Sequence, residues 1–377
     1  MNSDVLIIGG GIIGLSIARA LKKRGARRIT ILERGAEIGQ EASLAAAGML
    51  APQAEADKID DFFRFCTESN KLYPRFAEEL LEETGVDVEL DRTGTLYLAF
   101  TESDVEEIRR RYEWQRGVGL SVELLTAETI RKNEPFVSPD VREGLLFPED
   151  WQVENRKVLL ALHKFAEQNE IEIRTQAEVV NLLVENGKVT GAETAEEKFF
   201  AETTVLATGA WTSLVKLGGA PLPMAKVSPV RGQIIAFQTV KRFFNHVLYS
   251  RRGYIVPRLD GRILLGATVE NAGFDKSVTA EGVEYLLENG LEISPSLGNL
   301  EIIEKWAGLR PITEDGLPIL GSFSVSEKLL VATAHYRNGI LLAPLTAEIL
   351  ADKISENKES QYLQIFSPRR FHLTLPC

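Results

Sequence analysis

Cysteine is almost absent from this chain: two in 377 residues, Cys66 and Cys377. Two such distant residues cannot build a disulfide framework or a metal knuckle. Neither sits beside a histidine or at a helix start that would mark a thiolate. The four histidines, His163, His246, His335 and His372, show no ligand spacing, so no metal is expected. The serine-nucleophile motif G-x-S-x-G is missing too. No apolar run reaches the roughly 18–20 residues that cross a bilayer, so no transmembrane segment is expected. Positive charge is in deficit: 43 Lys and Arg against 54 Asp and Glu give a net charge of −11. That speaks against a nucleic-acid partner. No repeat or low-complexity stretch stands out. Met1-Asn2-Ser3 leads straight into an apolar run, so no signal peptide is read ahead of it. Scarce cysteine suits a reducing, cytoplasmic location. What remains, 44% hydrophobic and 26% charged, is a globular chain long enough for two domains.

What the chain does have is concentrated at its start. Val5-Leu6-Ile7-Ile8 is fully apolar, as suits a parallel strand buried on both faces. Gly9-Gly10-Gly11-Ile12-Ile13-Gly14 follows directly as G-x-G-x-x-G. Ile13, Ile17, Ala20 and Leu21 then recur at helical spacing up to a basic last turn and Gly25. A second strand, 29–32, ends at Glu33. The glycines have separable jobs: Gly9 for a tight turn, Gly11 for close approach of a pyrophosphate, Gly14 for helix–strand packing. The helix N-terminus favours the pyrophosphate's charge. Glu33, nineteen positions after Gly14, stands where a carboxylate takes ribose hydroxyls. Strand, helix, strand and acid in register predict a dinucleotide-binding α/β unit.

Further along, 39–49 is a run of small side chains that suits either a packed Ala-rich helix or close backbone approach to a bulky ligand. Its place after the nucleotide unit favours the ligand. Residues 60–85 read as an amphipathic helix stopped by Gly85. Strands at 95–100 and 122–125 and helices at 104–117 and 126–132 resemble an insertion from an α+β domain. Helix returns at 155–169, with strands at 171–174 and 178–185. An apolar strand from Thr203 ends in Thr208-Gly209, a glycine at a strand's C-terminal end, where doubly wound sheets bind ligands. From Val227 the chain turns strand-rich, with best cores at 234–237, 254–256 and 263–266; Asp260-Gly261 marks a hairpin. Ala280 to Gly290 reads as helix. A strand at 301–307 should give way to a turn-rich stretch, 308–316. Strand 329–334 precedes Asn338-Gly339 and a helix over 344–355.

Substrate-type chemistry has three candidates. Arg310 falls in the expected turn between Trp306 and Pro311, Arg337 follows the last strand, and Tyr254 begins another. A guanidinium among aromatic neighbours suits a bidentate carboxylate contact, although an arginine taken singly is more often a solvated group or a structural ion pair.

Six stretches together carry a family resemblance: Gly9 to Gly14 with Glu33, Glu41 to Met49, Ala207 to Trp211, Gly253 to Arg258, Trp306 to Pro311, and His335 to Pro344. In this order they resemble the D-amino-acid oxidase superfamily of flavoproteins, and within it the glycine oxidases of thiamine biosynthesis. The resemblance implies a Rossmann-like FAD-binding domain (1–85, 145–225, 326–365). It also implies an α+β substrate domain with a large antiparallel sheet (86–144, 226–325). It implies non-covalent FAD, with Gly9, Gly11, Ile12, Ile13, Gly14, Glu33 and Arg34 at the ADP half and Val179 near the adenine. Ala42, Ser43, Ala47, Gly48 and Met49 would line the pyrophosphate and flavin, with Thr208, Gly209 and Trp211 also at the cofactor. His335, Tyr336, Asn338, Gly339, Ile340 and Leu341 would wrap the flavin edge.

The same resemblance casts Arg310 as carboxylate clamp, completed by Tyr254 and Arg337. It implies hydride transfer from the α-carbon of glycine, sarcosine or a small D-amino acid to flavin N5, with no catalytic side chain required. The imine would hydrolyse to an oxo acid and ammonia, and molecular oxygen would yield hydrogen peroxide. A homotetramer is implied as well. Rival readings are a flavin dehydrogenase with another acceptor, an NAD-dependent oxidoreductase, and a non-catalytic dinucleotide sensor. Val269, in place of the family's Met, implies a wider pocket. Arg251-Arg252, in place of Asp and His, imply extra positive charge at its mouth.

Overall fold

The computed structural model describes residues 2–324 and 326–371; Cys377 and His372 lie outside them. At the centre of the first sheet, Asn2–Ile8 lies between Ile29–Leu32 and Lys198–Leu206. Glu172–Arg174 and Ser326–Thr333 extend this parallel core on either side. The unbroken apolar run has a simple cause. Val5 and Ile7 point into helices Ile12–Lys23, Asn155–Gln168 and Gly339–Glu356, while Leu6 and Ile8 point to the opposite face, against Leu182, Val215 and Val331. Both faces are dry, so alternation disappears.

Helix ends follow local chemistry. Asp61–Thr84 starts where Asp60 accepts the Phe63 N–H and stops at Gly85, whose φ is 71°. Glu102–Gly117 begins with a capping box between Thr101 and Asp104. The sequence places both within two residues.

A second sheet of eight strands runs Ile302–Ile312, Ser228–Gln238, Arg262–Gly266, Gly253–Pro257, Val247–Ser250, Thr95–Ala99, Glu143–Phe147, Glu123–Thr126. It is antiparallel throughout except where Val247–Ser250 meets Thr95–Ala99 in parallel. Arg258 to Arg262 forms the expected hairpin. The sheets divide the chain near the expected lines but not on them. Glu143–Phe147 pairs into the second sheet, and Ile319–Phe323 into the first. We propose that the domain boundaries follow the sheets, after Phe147 and before Ile319.

Two expectations are corrected. Residues 308–312 are strand, not turn, because Ile302–Ile312 continues along Ser228–Gln238 as far as Ile312. Pro311 is tolerated there because this is the edge strand, where a missing N–H breaks no ladder. The last long helix begins at Gly339, not at Pro344, and carries the proline inside it. A proline removes the N–H that would bond the carbonyl four residues back. Here that carbonyl, Ile340 O, accepts the Tyr73 hydroxyl instead, and Ser69 Oγ donates to Leu341 O at 2.6 Å. Two side chains of helix Asp61–Thr84 thus repair the break.

Candidate active site

A cavity of about 360 Å³ opens between the two sheets. Gly9, Gly11, Ile12 and Ile13 line one end, with Glu33, Arg34 and Val179. Ala42, Ser43, Ala47, Gly48 and Met49 form its middle, opposite Thr208, Gly209 and Trp211. His335, Tyr336, Asn338, Gly339 and Ile340 close the far end, where Tyr254, Arg310 and Arg337 enter. Of the expected residues, Gly14 and Leu341 stay outside. A Cβ on Gly14 would lie 2.0 Å from Gly9 O, so its job is packing helix on strand. Leu341 is fully buried in the core, since the helix repaired by Tyr73 and Ser69 turns its side chain away from the cavity. The run of small residues at 39–49 proves to be one helical turn, Ala42–Ala45, followed by extended backbone along the cavity.

The donors at this cavity are distinctive. Helices Asp61–Thr84, Glu102–Gly117, Ala127–Asn133, Asn155–Gln168, Ala280–Ile293 and Gln361–Ile365 all have a side-chain N-cap. Ile12–Lys23, Ala42–Ala45 and Gly339–Glu356 have none, and all three start at the cavity. Apart from the Ile12 N–H, which meets Ser43 Oγ at 3.0 Å, no side chain competes for their first N–H groups among the bonds described. Such starts suit an extended anion and a partially negative ring edge. Glu33 is pinned by the N–H groups of Gly10 (2.9 Å) and Gly35 (2.8 Å). A carboxylate has about four acceptor sites, so two bonds leave capacity for hydroxyls. Arg34 lies 3.6 Å above the Trp211 ring and pairs with Glu41 at 2.6 Å, bracing one wall.

At the far end the strands decide what meets. Arg310 leaves the edge strand and donates to Thr268 O at 3.0 Å. A Cβ on Gly232, in the adjacent strand, would lie 2.2 Å from the guanidinium, so that glycine is the space Arg310 fills. Gly266 does the same for Tyr254, whose ring would be 2.6 Å from a Cβ there. On its outer edge the same strand receives the Tyr336 N–H at Pro311 O, 3.0 Å, which draws the Arg337 loop beside Arg310. That loop is strained: Ala334 and Tyr336 have φ of 60° and 49°, a conformation costing roughly 1–3 kcal/mol for a non-glycine residue.

Electrostatics follow burial. His335 Nε2 contacts Thr346 at 3.1 Å, and burial lowers its pKa to about 3, so the ring is neutral. Burial raises the Tyr254 phenol, against the pull of Arg310 and Arg337. For Arg337 burial works downward, but Glu55 and Tyr249 outweigh it and its pKa is raised. Glu55 and Tyr249 both line the cavity and carry no sequence motif. Glu55 sits in an irregular loop without periodicity, and Tyr249 alternates in a strand like any core aromatic. The expected surplus charge at the mouth is absent. Arg252 is matched by Asp104 (3.1 Å) and Glu292, and Arg251 by Glu107 (3.3 Å). Helix Glu102–Gly117 supplies two of these acids, a contact that only the tertiary fold creates. Val269 lines the cavity and is more than half exposed.

The family model described as FAD dependent oxidoreductase matches residues 4–353. A protein of Geobacillus kaustophilus named "Glycine oxidase" is 36% identical, over 95% of this chain and 94% of its own length. Its crystal structure superposes with a TM-score of 0.92 over 99% of this chain. A "Bifunctional protein ThiO/ThiG" of Synechocystis sp. is 38% identical over 99% of this chain, which spans 55% of that protein's length. The chain belongs to the FAD-dependent oxidoreductase family and is an enzyme with FAD as cofactor. The residues fit that group: three uncapped helix starts open on the cavity, and a pinned carboxylate lines it.

Proposed function

We propose that the chain oxidises glycine, and with it sarcosine and small D-amino acids, with oxygen and water, giving an oxo acid, hydrogen peroxide and ammonia (methylamine from sarcosine), for thiazole synthesis in thiamine formation. The observation that carries this reading is the convergence of Arg310, Arg337 and Tyr254 on one end of a cavity whose other end has the features of a dinucleotide site. When bound, FAD supplies the two-electron acceptor, so the protein itself has to orient rather than react. Arg310 takes the substrate carboxylate in a fork, and its bond to Thr268 O fixes one arm of that fork. Tyr254, neutral because burial raises its phenol, donates a hydrogen bond to the same carboxylate. Arg337 adds charge without an ion pair within 4 Å among the described residues. Holding the carboxylate at two points aims the α-C–H at the flavin-facing wall, a positioning effect. Among the described residues no helix is long and apolar enough to cross a membrane; cytoplasmic location and a homotetramer belong to the proposal.

The test is the visible spectrum of the purified protein under anaerobic conditions, before and after glycine. Loss of flavin absorbance with glycine, and its return with air and peroxide, is the expected result. Loss without return in air points to a dehydrogenase with another acceptor. Flavin bands that ignore glycine, sarcosine and D-alanine overturn the amino-acid assignment.

A further inference from the structure

A carboxylate faces the substrate end of the cavity, and the reading above gives it nothing to do. Glu55 lines the cavity together with Arg310, Arg337 and Tyr254. Its contact there is a long one, 3.4 Å from Asn338 Nδ2, and neither arginine comes within ion-pair distance of it among the described residues. The opposite charges are close enough to act on each other: burial raises the Glu55 carboxyl on balance, and Arg337, Asn338 and Arg310 pull against that rise. They are therefore coupled across a gap.

The irregular segment that carries Glu55 is held firmly on both sides. Asp150, fully buried, accepts the Gln53 N–H at 3.0 and 3.1 Å and the Ala54 N–H at 2.7 Å. Gln53 and Gln115 exchange bonds, Nε2 to Oε1 at 3.0 Å and Nε2 to carbonyl O at 3.1 Å. Arg111 donates to the carbonyls of Ala54 and Ala56 and pairs with Asp57 at 2.9 Å. Buried polar groups are costly unless satisfied. Here three of them are spent on the backbone around one cavity-facing carboxylate.

We infer that Glu55 accepts the amine end of the substrate, and that Asp150 is the positioning residue that holds it there. This rests on the reading of the cavity as an amino-acid site. An amino acid is a zwitterion. Two guanidinium groups receive its carboxylate, and a carboxylate set across a gap from them matches its amine. A 2-hydroxy acid or a plain carboxylate offers Glu55 a weaker donor or none. Amine recognition is thus assigned to a residue outside every sequence motif.

The experiment compares glycine with acetate in the holoenzyme. Glycine is followed by turnover, acetate by its perturbation of the bound flavin's visible spectrum, and flavin content is checked in each variant. Glu55→Gln should raise the glycine KM about ten- to a hundredfold, the worth of a charge-assisted bond. Acetate should bind equally well or more tightly, because a neighbouring negative charge has gone. Asp150→Asn should raise the glycine KM by a smaller factor with acetate unmoved, and Glu55→Asp should recover part of the loss. Equal weakening of both ligands in Glu55→Gln, or no change in either, overturns the assignment. If Glu55→Gln does not fold, Glu55→Asp is read by the same split: a glycine-only shift supports the role and its absence overturns it. Wild-type enzyme that binds acetate yet neither binds nor oxidises glycine, sarcosine or D-alanine overturns the amino-acid reading itself, and Glu55's role with it.

Discussion

Two arginines near the seam between the sheets show how differently one side chain is used. Arg258 is buried and closed. Its terminal nitrogens donate to Val153 O (2.7 Å), Ala47 O (2.9 Å), Gln152 Oε1 and Asn155 Oδ1 (3.2 Å each), and its Nε lies 3.4 Å from the buried Glu154. Arg310, a few strands away, spends one nitrogen on Thr268 O and presents the rest to the cavity. Arg258 ties the hairpin of the second sheet to the small-residue segment of the first domain, so it is architecture. Arg310 keeps most of its donors free, as the ligand role proposed for it requires. With both terminal nitrogens saturated and Nε buried beside Glu154, the Arg258 guanidinium has nothing left to offer a ligand. Counting unspent donors separates the two roles where residue type does not, and the uncapped helix starts obey the same rule.

The largest expected effect tests the closed end of this comparison. Arg258→Met leaves the buried Glu154 with Arg262 as its one charged partner among the described residues, and should cost about 3–5 kcal/mol in denaturant unfolding. A loss under 1 kcal/mol would move Arg258 out of the structural class. Arg310→Lys tests the open end. It should lower kcat/KM for glycine about a hundredfold, since an ammonium cannot fork, while the unfolding midpoint stays put.

His335 sits in the site's loop yet belongs with Arg258 by its satisfied contacts. Its folded pKa of about 3 lies below the unfolded value of about 6.5. The unfolded state therefore takes up the proton first, and stability is full above pH 6.5 and lost as pH falls towards 3. Between pH 7 and 5 the His335-dependent part should amount to about 2 kcal/mol, read as the difference between the wild type and His335→Gln. Equal slopes would show that the ring is not buried as a neutral group. The smallest effect sharpens the boundary. Gly232→Ala should displace the flexible end of Arg310 and raise the glycine KM about tenfold, with folding and flavin content unchanged. A folding defect there instead would make Gly232 part of the architecture.

Much of this was legible before any coordinates. Gly9 to Glu33 names its own strand, helix and strand because each is specified locally, by apolar run, spacing and glycine. Helix ends at Asp60 and Gly85 were readable for the same reason. Misreadings arose where distant chain overrides local preference. Pro311 suggests a turn, but an edge strand absorbs it, and Pro344 suggests a helix start, but Tyr73 and Ser69 mend the ladder. Glu55 was invisible because the groups that fix its loop, Asp150, Gln115 and Arg111, lie roughly 60 to 100 residues further on.

By itself, then, the sequence determined the nucleotide-binding unit and most helix boundaries, and its motifs raised the expectation of a carboxylate clamp beside a dinucleotide site. These rest on interactions between near neighbours, or on motifs whose spacing is their meaning. Which arginines are spent and which are free, that Arg251 and Arg252 are neutralised, and that a carboxylate stands opposite the clamp were decided only by the tertiary structure. A side chain's chemistry is set by its residue type, but its availability is set by what folding packs against it.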